Sequence, residues 1–352
     1  MIIRRAGPAD LPAVAELLRL VGGVEYDLDL VGSLLGDLDP ESYHAWLALD
    51  VDRPAGITML ETRTVRCGER SYRAGYWTNL YIRPEYRATK LYPRLPLAMF
   101  AGAREVGLDF IYGAIRRQEV ARAHLAIGMK QVGVMPVLAQ PLRPFSLIAK
   151  HMRWGAAAAL LGRGPDAVYR AVLGLRRPAA GRDLAIEETP LDSPTLTALT
   201  HLARASSGDR IHQAWTEATL RKRLELNWDR EPYRLITARR KGRLVAGVVL
   251  RLARRDTIRA AVVIEIFGNP SDPAVRSCLE EVRSRAMRMG AEVVLCLPGW
   301  DVQGRRVLRS LGYRESPENY VLMWYNSDGV QPDVPMEDPA RWMFAFIDHD
   351  AF

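Results

Sequence analysis

Glu265 is the residue whose surroundings most clearly suggest acid–base chemistry. It lies in the run VVIEIFG, an otherwise apolar and largely β-branched segment that is typical of a buried strand. An ionised carboxylate is costly in such a strand unless it is paired or exposed. Glu265 is therefore a candidate base with a raised pKa, or a ligand for an amine. The alternative is a strand whose alternation turns this carboxylate towards water.

Other patterns of reactive residues are weaker. The six histidines show no paired metal spacing, and three cysteines are too few and too scattered for a disulfide framework or a zinc site. The run Asp348-His349-Asp350 is compact enough to touch one metal ion, although a polar closing turn is the commoner origin of such a run. We therefore expect no metal site. The sequence contains no G-x-S-x-G, Walker or dinucleotide-binding motif.

Length and composition indicate a globular protein of two domains. The chain has 352 residues, which is enough for two domains of about 150 residues each. Hydrophobic residues make up 48% and charged residues 26%, which excludes disordered and collagen-like classes. No run of about 18 apolar residues is present, and the start MIIRRAGPADLPAVAEL lacks the apolar core of a signal peptide. We expect a cytoplasmic protein with no membrane span.

The basic excess is concentrated in one segment. Residues 151–185 carry six arginines against two aspartates, and so hold half of the net charge of +8. Such a segment can attract phosphate, an acidic carrier protein, nucleic acid or an anionic membrane, and the alternative is a solvated surface helix. Its single tryptophan and few bulky apolar residues argue against membrane docking. We predict one or two short amphipathic helices there.

Hydrophobic periodicity predicts the same order of strands and helices in both halves of the chain. In each half a predicted helix ends at a glycine followed by Met or Tyr, at Gly128-Met129 and at Gly312-Tyr313. A period of roughly 180 residues is too long for a solenoid and favours two similar domains. We predict a domain over residues 1–150, a basic helical linker over 151–182 and a second domain with a C-terminal tail over 183–352.

Several stretches resemble the GNAT superfamily of N-acetyltransferases. IRRAGPADLPAVAELL resembles its first strand and helix, LYIRPEYRATKLYPRLPLAMFAGAREVGLDFIYG its cofactor motif, and EVARAHLAIGMKQVG the helix that follows. In the second half, DPAVRSCLEEVRSRAMRMGAEVVLCLP and GRRVLRSLGYRE resemble the same fold more weakly. The resemblance implies an α/β fold with mixed sheets, built from two tandem GNAT-like acyltransferase domains.

The resemblance implies that the first domain binds acetyl-CoA or another acyl-CoA. In the family, backbone N–H groups of a loop that enters a helix bind the pyrophosphate, and glycines permit the close approach. Here Lys90 and Tyr92 occupy the glycine positions of the Arg/Gln-x-x-Gly-x-Gly/Ala pattern. Lys90 can supply a positive charge to a phosphate, whereas Tyr92 can fill the groove. The expected cofactor-binding residues are Leu80, Ile82, Arg87, Ala88, Thr89, Lys90, Leu91 and Tyr92.

The second half lacks this loop pattern. Its corresponding stretch is IEIFGNPSDPAVRSCL, in which Asp272 is a predicted N-cap before Pro273 at the first helical position. An acidic cap at that helix start would repel a phosphate. We therefore expect the first domain to hold the acyl-CoA.

The resemblance also suggests catalytic residues. Members of the family often have a proton-donating tyrosine four residues before the helix-ending glycine, and that position is His124 in the first half. A histidine can transfer protons near neutrality, whereas Leu308 at the same position of the second half cannot. The family often places a glutamate base on or near its fourth strand, which makes Glu85 and Glu265 the candidates. Alternatively, Glu85 only pairs with Arg87 in a polar turn.

Aromatic residues also cluster around the predicted cofactor strand. They are Tyr76, Trp77, Tyr81, Tyr86 and Tyr92. Such residues can line an acyl pocket or a pocket for an aromatic acceptor, although packing in a strand core is their commoner role.

The leading interpretation is an N-acyltransferase, most simply an N-acetyltransferase, that acts on the amine of a small molecule or sugar. The basic segment also fits an acyl donor held by an acidic acyl carrier protein. A charged transfer RNA is a further alternative donor, although the low charge of the second half argues against a nucleic-acid partner. A non-catalytic binding or scaffold protein of degenerate GNAT domains is the alternative that Lys90, Tyr92 and Leu308 favour.

Overall fold

The structure is a computed structural model that describes residues 1–22, 28–35, 42–152, 162–175, 183–225, 231–255, 257–327 and 334–349. The chain divides into two compact units. The first comprises Met1–Val134, Asp209–Ala214 and Tyr320–Arg341, and the second comprises Met135–Gly208, Trp215–Asn319 and Trp342–Phe352. Much of the predicted linker over 151–182, and Asp350 of the tail run, lie outside the described residues.

The first unit contains a largely antiparallel sheet with one parallel pair. Its strands are β1 (Ile2–Arg5), β2 (Tyr43–Asp50), β3 (Arg53–Cys67), β4 (Arg70–Ile82), β5 (Phe110–Ile115), the two-residue β8 (His212–Gln213) and the end of β13 (Arg314–Asn326). They follow the order β1-β2-β3-β4-β5-β13, and β8 pairs with β3. β4 and β5 pair in parallel over only three residues, which end at Tyr76 and Tyr112.

Helices cover this sheet because each has one apolar face. They are α1 (Leu11–Gly22), α2 (Leu28–Leu34), α3 (Leu91–Glu105) and α4 (Gln118–Ala126). Leu95, Met99 and Phe100 of α3 recur at helical spacing and are buried, and they share one core cluster with Trp46 and Trp77 of the sheet. That cluster places the first turn of α3 and the body of α4 above the end of β4.

The second unit repeats this arrangement. Its strands are the end of β6 (Lys130–Pro141), β7 (Leu184–Thr189), β9 (Arg234–Arg240), β10 (Arg243–Arg255), β11 (Ile258–Phe267) and β12 (Val293–Cys296), in the order β6-β12-β11-β10-β9-β7. β11 and β12 form its parallel pair. Its helices are α5 (Pro144–His151), α6 (Arg163–Leu175), α7 (Ser193–Ser207), α8 (Glu217–Glu225), α9 (Pro273–Arg288) and α10 (Val302–Ser310).

The two glycine-ended helices have the same geometry in both units. Gly128 after α4 has φ +99° and Gly312 after α10 has φ +94°, a conformation in which glycine avoids the penalty of a side chain. The carbonyl of His124 then accepts from the N–H of Met129 at 3.1 Å. The carbonyl of Leu308 accepts from the N–H of Tyr313, also at 3.1 Å. His124 and Leu308 are therefore equivalent positions, as their spacing predicts.

The predicted α/β class with mixed sheets is confirmed, and both halves contain the predicted order of strands and helices. The short helices α2 and α5 are absent from the prediction, and the way α5 is stabilised explains its omission. The N–H groups of Phe145 and Ser146 donate to the carboxylate of Asp166 at 2.9 and 3.1 Å. This N-terminal cap comes from another helix, α6, so the local sequence around α5 carries no signal for it.

Candidate active site

The register of the sheet is irregular at the end of β4. The register of β3 and β4 joins Thr58 to Leu80 and Leu60 to Trp77, so β4 has one extra residue between these pairs. Thr78 and Asn79 form this β-bulge and have no partner in the register of either neighbouring strand. A bulge disrupts the ladder locally. Backbone N–H groups at such a point can stabilise a developing oxyanion.

Tyr92 and His124 are in hydrogen-bond contact next to Trp77. The Tyr92 hydroxyl lies 2.9 Å from Nδ1 of His124, and the His124 ring packs on the Trp77 indole with a centroid separation of 4.2 Å. Nδ1 also lies 2.7 Å from the carbonyl oxygen of Val120. A carbonyl only accepts, so this geometry assigns the hydrogen to Nδ1. The Tyr92 oxygen then shares that hydrogen, and the phenolic hydrogen is left to donate elsewhere.

Burial sets the protonation state of both side chains. It lowers the pKa of His124 to about 4, against the opposing effect of the hydrogen bond to Val120. It raises the pKa of Tyr92 to about 12. At neutral pH the imidazole is therefore uncharged and the phenol keeps its proton. This differs from the expectation of an ordinary histidine that titrates near neutrality, because His124 is 3% exposed and faces aromatic rings.

The turn before α3 holds most of the predicted cofactor-binding residues. Leu80 and Ile82 end β4, and Arg87, Ala88, Thr89 and Lys90 form an exposed turn that leads into Leu91 and Tyr92 of α3. The N–H of Thr89 donates to the Tyr86 carbonyl at 3.1 Å, and the N–H of Leu91 contacts the Thr89 hydroxyl at 3.3 Å. Pro93 has no N–H. The backbone donors that a glycine loop presents to a phosphate are therefore largely used within the chain.

The surface of this turn carries two exposed cationic side chains, Arg87 and Lys90. Arg87 donates through Nε to the carbonyl of Ile82 at 3.0 Å. Lys90 is exposed and forms no ion pair with any residue that the structure describes. An anion that binds here would contact side-chain cations rather than a backbone cradle.

Glu85 lies apart from the Tyr92–His124 pair. It is exposed on the 3-10 turn Pro84–Tyr86, and its Oε1 accepts from Nη2 of Arg53 at 2.8 Å. Its ion-pair partner is thus Arg53 and not Arg87. Within the described residues, Glu85 makes no hydrogen bond to Tyr92 or His124.

Glu265 lies at a corresponding bulge in the second unit. The register of β10 and β11 joins Val249 to Glu265 and Leu250 to Val263, so Ile264 is the extra residue of β11. The parallel ladder with β12 ends at Val263. Both units thus combine a bulged fourth strand with a parallel neighbour whose ladder stops just before the bulge.

The carboxyl group of Glu265 is hard to ionise. Burial and, next in size, the Asp348 carboxylate raise its pKa to about 8, against the hydrogen bond that Oε1 accepts from the N–H of Ile266 at 2.8 Å. The raised pKa predicted from the apolar strand is therefore found. The role of Glu265 as a base stays a prediction.

The helix start that follows β11 offers no anion site. The Asp272 carboxylate caps α9 by accepting from the N–H of Ala274 at 2.8 Å. The same carboxylate accepts two hydrogen bonds from the guanidinium of Arg240, at 2.9 and 3.1 Å. An acidic group that is already paired occupies the place where the first unit presents Arg87 and Lys90.

The C-terminal segment also covers the bulge of the second unit. The 3-10 helix Phe346–Asp348 packs against β11, and a side chain at Gly299, just beyond β12, would meet the carbonyl oxygen of Phe344 at 2.7 Å. Trp342, Phe344, Phe346 and Ile347 are all buried. The arginine Nε of Arg223 donates to the carbonyl of Ile347 at 2.8 Å. This segment therefore leaves the end of β11 covered by the chain itself.

Solved structures share this architecture. A GCN5-related N-acetyltransferase from Anabaena variabilis is similar over 93% of this chain and 73% of its own, with a TM-score of 0.63 and 11% identity. The chain has the GNAT fold. A probable N-acyltransferase from Enterococcus faecalis matches with the same coverage and TM-score at 12% identity. The N-myristoyltransferase of Saccharomyces cerevisiae with bound myristoyl-CoA matches over 92% of this chain and 82% of its own, with a TM-score of 0.59 and 10% identity.

The comparisons that match this chain to the GNAT fold are structural. No protein-family model matches the sequence. No curated protein matches it either. At the identities of the solved structures, the likeness establishes the fold and leaves the reaction to be argued from this chain's residues.

The described part of the chain contains neither a membrane-spanning helix nor a cluster of metal ligands. None of its helices is long and apolar enough to cross a membrane. No three of its His, Cys, Asp or Glu side chains are grouped as ligands for a metal ion.

Sequence reasoning missed the contact between Tyr92 and His124 and the bulge at Thr78–Asn79. Tyr92 attracts attention in the sequence only as a departure from glycine, and His124 lies 32 positions later. The one local signal for the bulge is the polar pair Thr78-Asn79 between aromatic and aliphatic residues in GYWTNLYI. Polar residues in a strand are too common for that signal to be read alone.

Proposed function

We propose that the protein is an N-acyltransferase that moves an acyl group, acetyl first among the candidates, from acyl-CoA to an amine of a small molecule or sugar. We assign the reaction to the first unit. The Tyr92–His124 pair next to the bulge of β4 carries this proposal, since transfer from a thioester needs stabilisation of an oxyanion and of a departing thiolate. The structural likeness to enzymes named N-acetyltransferase and N-myristoyltransferase supports an acyl thioester as donor.

The reaction assigns distinct roles to these groups. The amine attacks the thioester carbonyl carbon, and the N–H groups at Thr78 and Asn79 stabilise the negative charge that develops on the carbonyl oxygen. Collapse of this intermediate breaks the C–S bond and leaves a thiolate. Tyr92 donates a hydrogen bond to that sulfur. Full proton transfer from Tyr92 is unfavourable, because its pKa, about 12, lies above that of a thiol at ~8.5, so the thiolate takes its proton from water after it leaves.

His124 acts through Tyr92 and is a positioning residue. Its Nδ1–H, oriented by the Val120 carbonyl, holds the phenolic oxygen and leaves the phenolic hydrogen for the sulfur. The amine loses its proton to a base, for which Glu85 is the predicted candidate within the first unit. Lys90 and Arg87 bind the pyrophosphate through their side chains.

Calorimetric titration with acetyl-CoA and with free coenzyme A tests the donor assignment. We expect micromolar binding by the wild-type protein and at least tenfold weaker binding by Lys90→Glu. Lys241→Glu is the matched control, because it makes the same charge change in an exposed hairpin turn of the second unit. Absence of binding by the wild-type protein contradicts the proposed donor. Equal losses in both variants contradict the site.

A non-catalytic binding protein is the second candidate function. The observation that favours it is the hydrogen bond between Tyr92 and His124, which joins the start of α3 to α4 where the family leaves a groove. Release of free thiol from acetyl-CoA in the presence of a panel of primary amines distinguishes the two functions. Binding of coenzyme A without amine-dependent thiol release would favour this second candidate.

A further inference from the structure

The second unit contains a cavity of about 410 Å³ beside the turn of the hairpin formed by β10 and β11. Leu252 and Ala253 give it apolar surface, and the charged residues of its lining are three cations and two carboxylates. A volume of this size lies within the range of sites that hold small molecules. The charges of the lining therefore decide which kind of molecule fits.

One wall of the cavity is an ion pair whose polar atoms are already bonded. Glu292, just before β12, is 7% exposed, and both of its carboxylate oxygens accept from Nζ of Lys150 at 2.7 Å. Its Oε2 also accepts from the N–H of Arg259 at 3.0 Å, and Nζ of Lys150 donates to the carbonyl of Thr257 at 2.7 Å. This wall is neutral as a whole and fixes the shape of the cavity.

The other charged residues leave an excess of positive charge. Arg254 of β10 lies directly opposite Arg259 of β11 in the antiparallel register. Opposed residues share one face of a sheet with their Cβ atoms about 4.5–5.5 Å apart, and like charges placed in this way are destabilising. Arg254 forms no ion pair with any residue that the structure describes. Nη2 of Arg259 lies 3.9 Å from Oε1 of Glu231, but both side chains are about half exposed, so water weakens this pair.

An anion between the two guanidinium groups would remove their repulsion. A phosphate monoester carries a charge of about −1.5 to −2 near neutral pH and three terminal oxygens, which allow it to contact both arginines at once. A carboxylate has one charge and two oxygens, which match a single guanidinium. The cavity extends beyond the space of one phosphate, and Leu252 and Ala253 offer apolar contact to the rest of the molecule.

We propose that this cavity binds a small organic phosphate monoester, with its phosphate held by Arg254 and Arg259 and its organic part against Leu252 and Ala253. All of these residues belong to the second unit. The inference therefore goes beyond the proposed acyl transfer, which is assigned to the first unit, and does not depend on it.

Calorimetric titration of the full chain with phenyl phosphate, benzoate and phenol at neutral pH tests this assignment. We expect phenyl phosphate to bind at least tenfold more tightly than benzoate or phenol, because it alone carries enough charge for both arginines. Arg254→Gln and Arg259→Gln should each weaken its binding at least tenfold. Arg306→Gln is the matched control, because it makes the same change at an exposed arginine of α10 in the same unit, and it should leave binding unchanged.

Three results of this titration would overturn the proposal. The first is no binding of phenyl phosphate by the wild-type protein. The second is equal affinity for phenyl phosphate and benzoate, which would remove the preference for phosphate. The third is a loss of binding in Lys90→Glu but not in the variants of Arg254 and Arg259, which would place the anion in the first unit. None of these results depends on a thioester, so failure of the proposed acyl transfer would leave this test intact.

The opposed arginines provide a second readout in urea unfolding. In phosphate-free buffer, Arg254→Gln should unfold at a higher urea concentration than the wild type, because the like-charge pair is gone. Excess phenyl phosphate should raise the midpoint of the wild type and leave that of the variant nearly unchanged, since a ligand stabilises only the folded state that binds it. Equal shifts of both proteins by phenyl phosphate would contradict the role of Arg254.

Discussion

Glu265 permits a quantitative test, because its carboxyl group titrates differently in the folded and unfolded chain. The folded pKa is about 8, whereas the ordinary value is 4.5. Between these two pH values the folded state binds one more proton than the unfolded state, so the free energy of unfolding falls as the pH rises. One pKa unit corresponds to about 1.4 kcal/mol. Between pH 5 and pH 8 we expect Glu265 alone to lower the free energy of unfolding by about 2–4 kcal/mol.

Glu265→Gln keeps the shape of the side chain and removes its titration. Urea unfolding of the variant and the wild type at pH 5, 6.5 and 8 gives the difference in free energy of unfolding. That difference should shift in favour of the variant by about 2–4 kcal/mol as the pH rises from 5 to 8. Glu187→Gln is the control, because Glu187 is exposed and pairs with Arg239 at 3.1 Å. A difference between Glu265→Gln and wild type that stays constant with pH would refute the reasoning.

Three further predictions concern the site and the C-terminal segment. Tyr92→Phe should lower kcat for acyl transfer about 10²-fold with little change in KM, measured by thiol release, because the hydrogen bond to the leaving sulfur is lost together with the contact to His124, whereas Arg87 and Lys90 still bind the pyrophosphate. His124→Gln should abolish a loss of about 3 kcal/mol in unfolding free energy that the wild type suffers between pH 6.5 and pH 4, where the unfolded histidine takes up a proton before the folded one. The free energy of unfolding of the variant and of the wild type, measured at several pH values from 6.5 to 4, checks this. Phe346→Ala should destabilise the second unit by about 3–5 kcal/mol, whereas Val302→Ala, at an exposed position, should stay within about 0.5 kcal/mol in the same urea unfolding assay.

The strands and helices of this chain are predictable because their signals are local. The apolar runs of β3, β4 and β11 and the helical spacing of α3 and α9 can be read within one window of sequence. The cap that Asp166 gives to α5 is not local, and sequence reasoning omits α5, as it also omits α2. The same distinction applies to the site. His124 is found by counting from Gly128, but its contact with Tyr92 depends on how α3 and α4 pack on the sheet.

The shifts in pKa can likewise be predicted from sequence only where their causes are local. The shift of Glu265 is foreseeable because its apolar neighbours in VVIEIFG are in its own strand, although the contribution of Asp348 comes from a segment 83 residues later. The shift of His124 is not foreseeable, since α4 by itself is amphipathic and reads as a surface helix. Its burial comes from Trp77 and Tyr92, which belong to a strand and to another helix.

The two units share one backbone arrangement and differ at a few residues that the proposed site uses. Both keep the bulged fourth strand, the shortened parallel ladder and the glycine-ended helix. In the second unit Leu308 stands where the first has His124, and Asp272, paired with Arg240, stands near the helix start where the first has Lys90. Each change removes a donor or a positive charge and leaves the backbone intact. The second unit also buries four large apolar residues of the tail against the end of its sheet. Transfer at both units would require both bulges to be accessible to substrate. The covered end of β11 therefore supports the first unit as the place of the reaction.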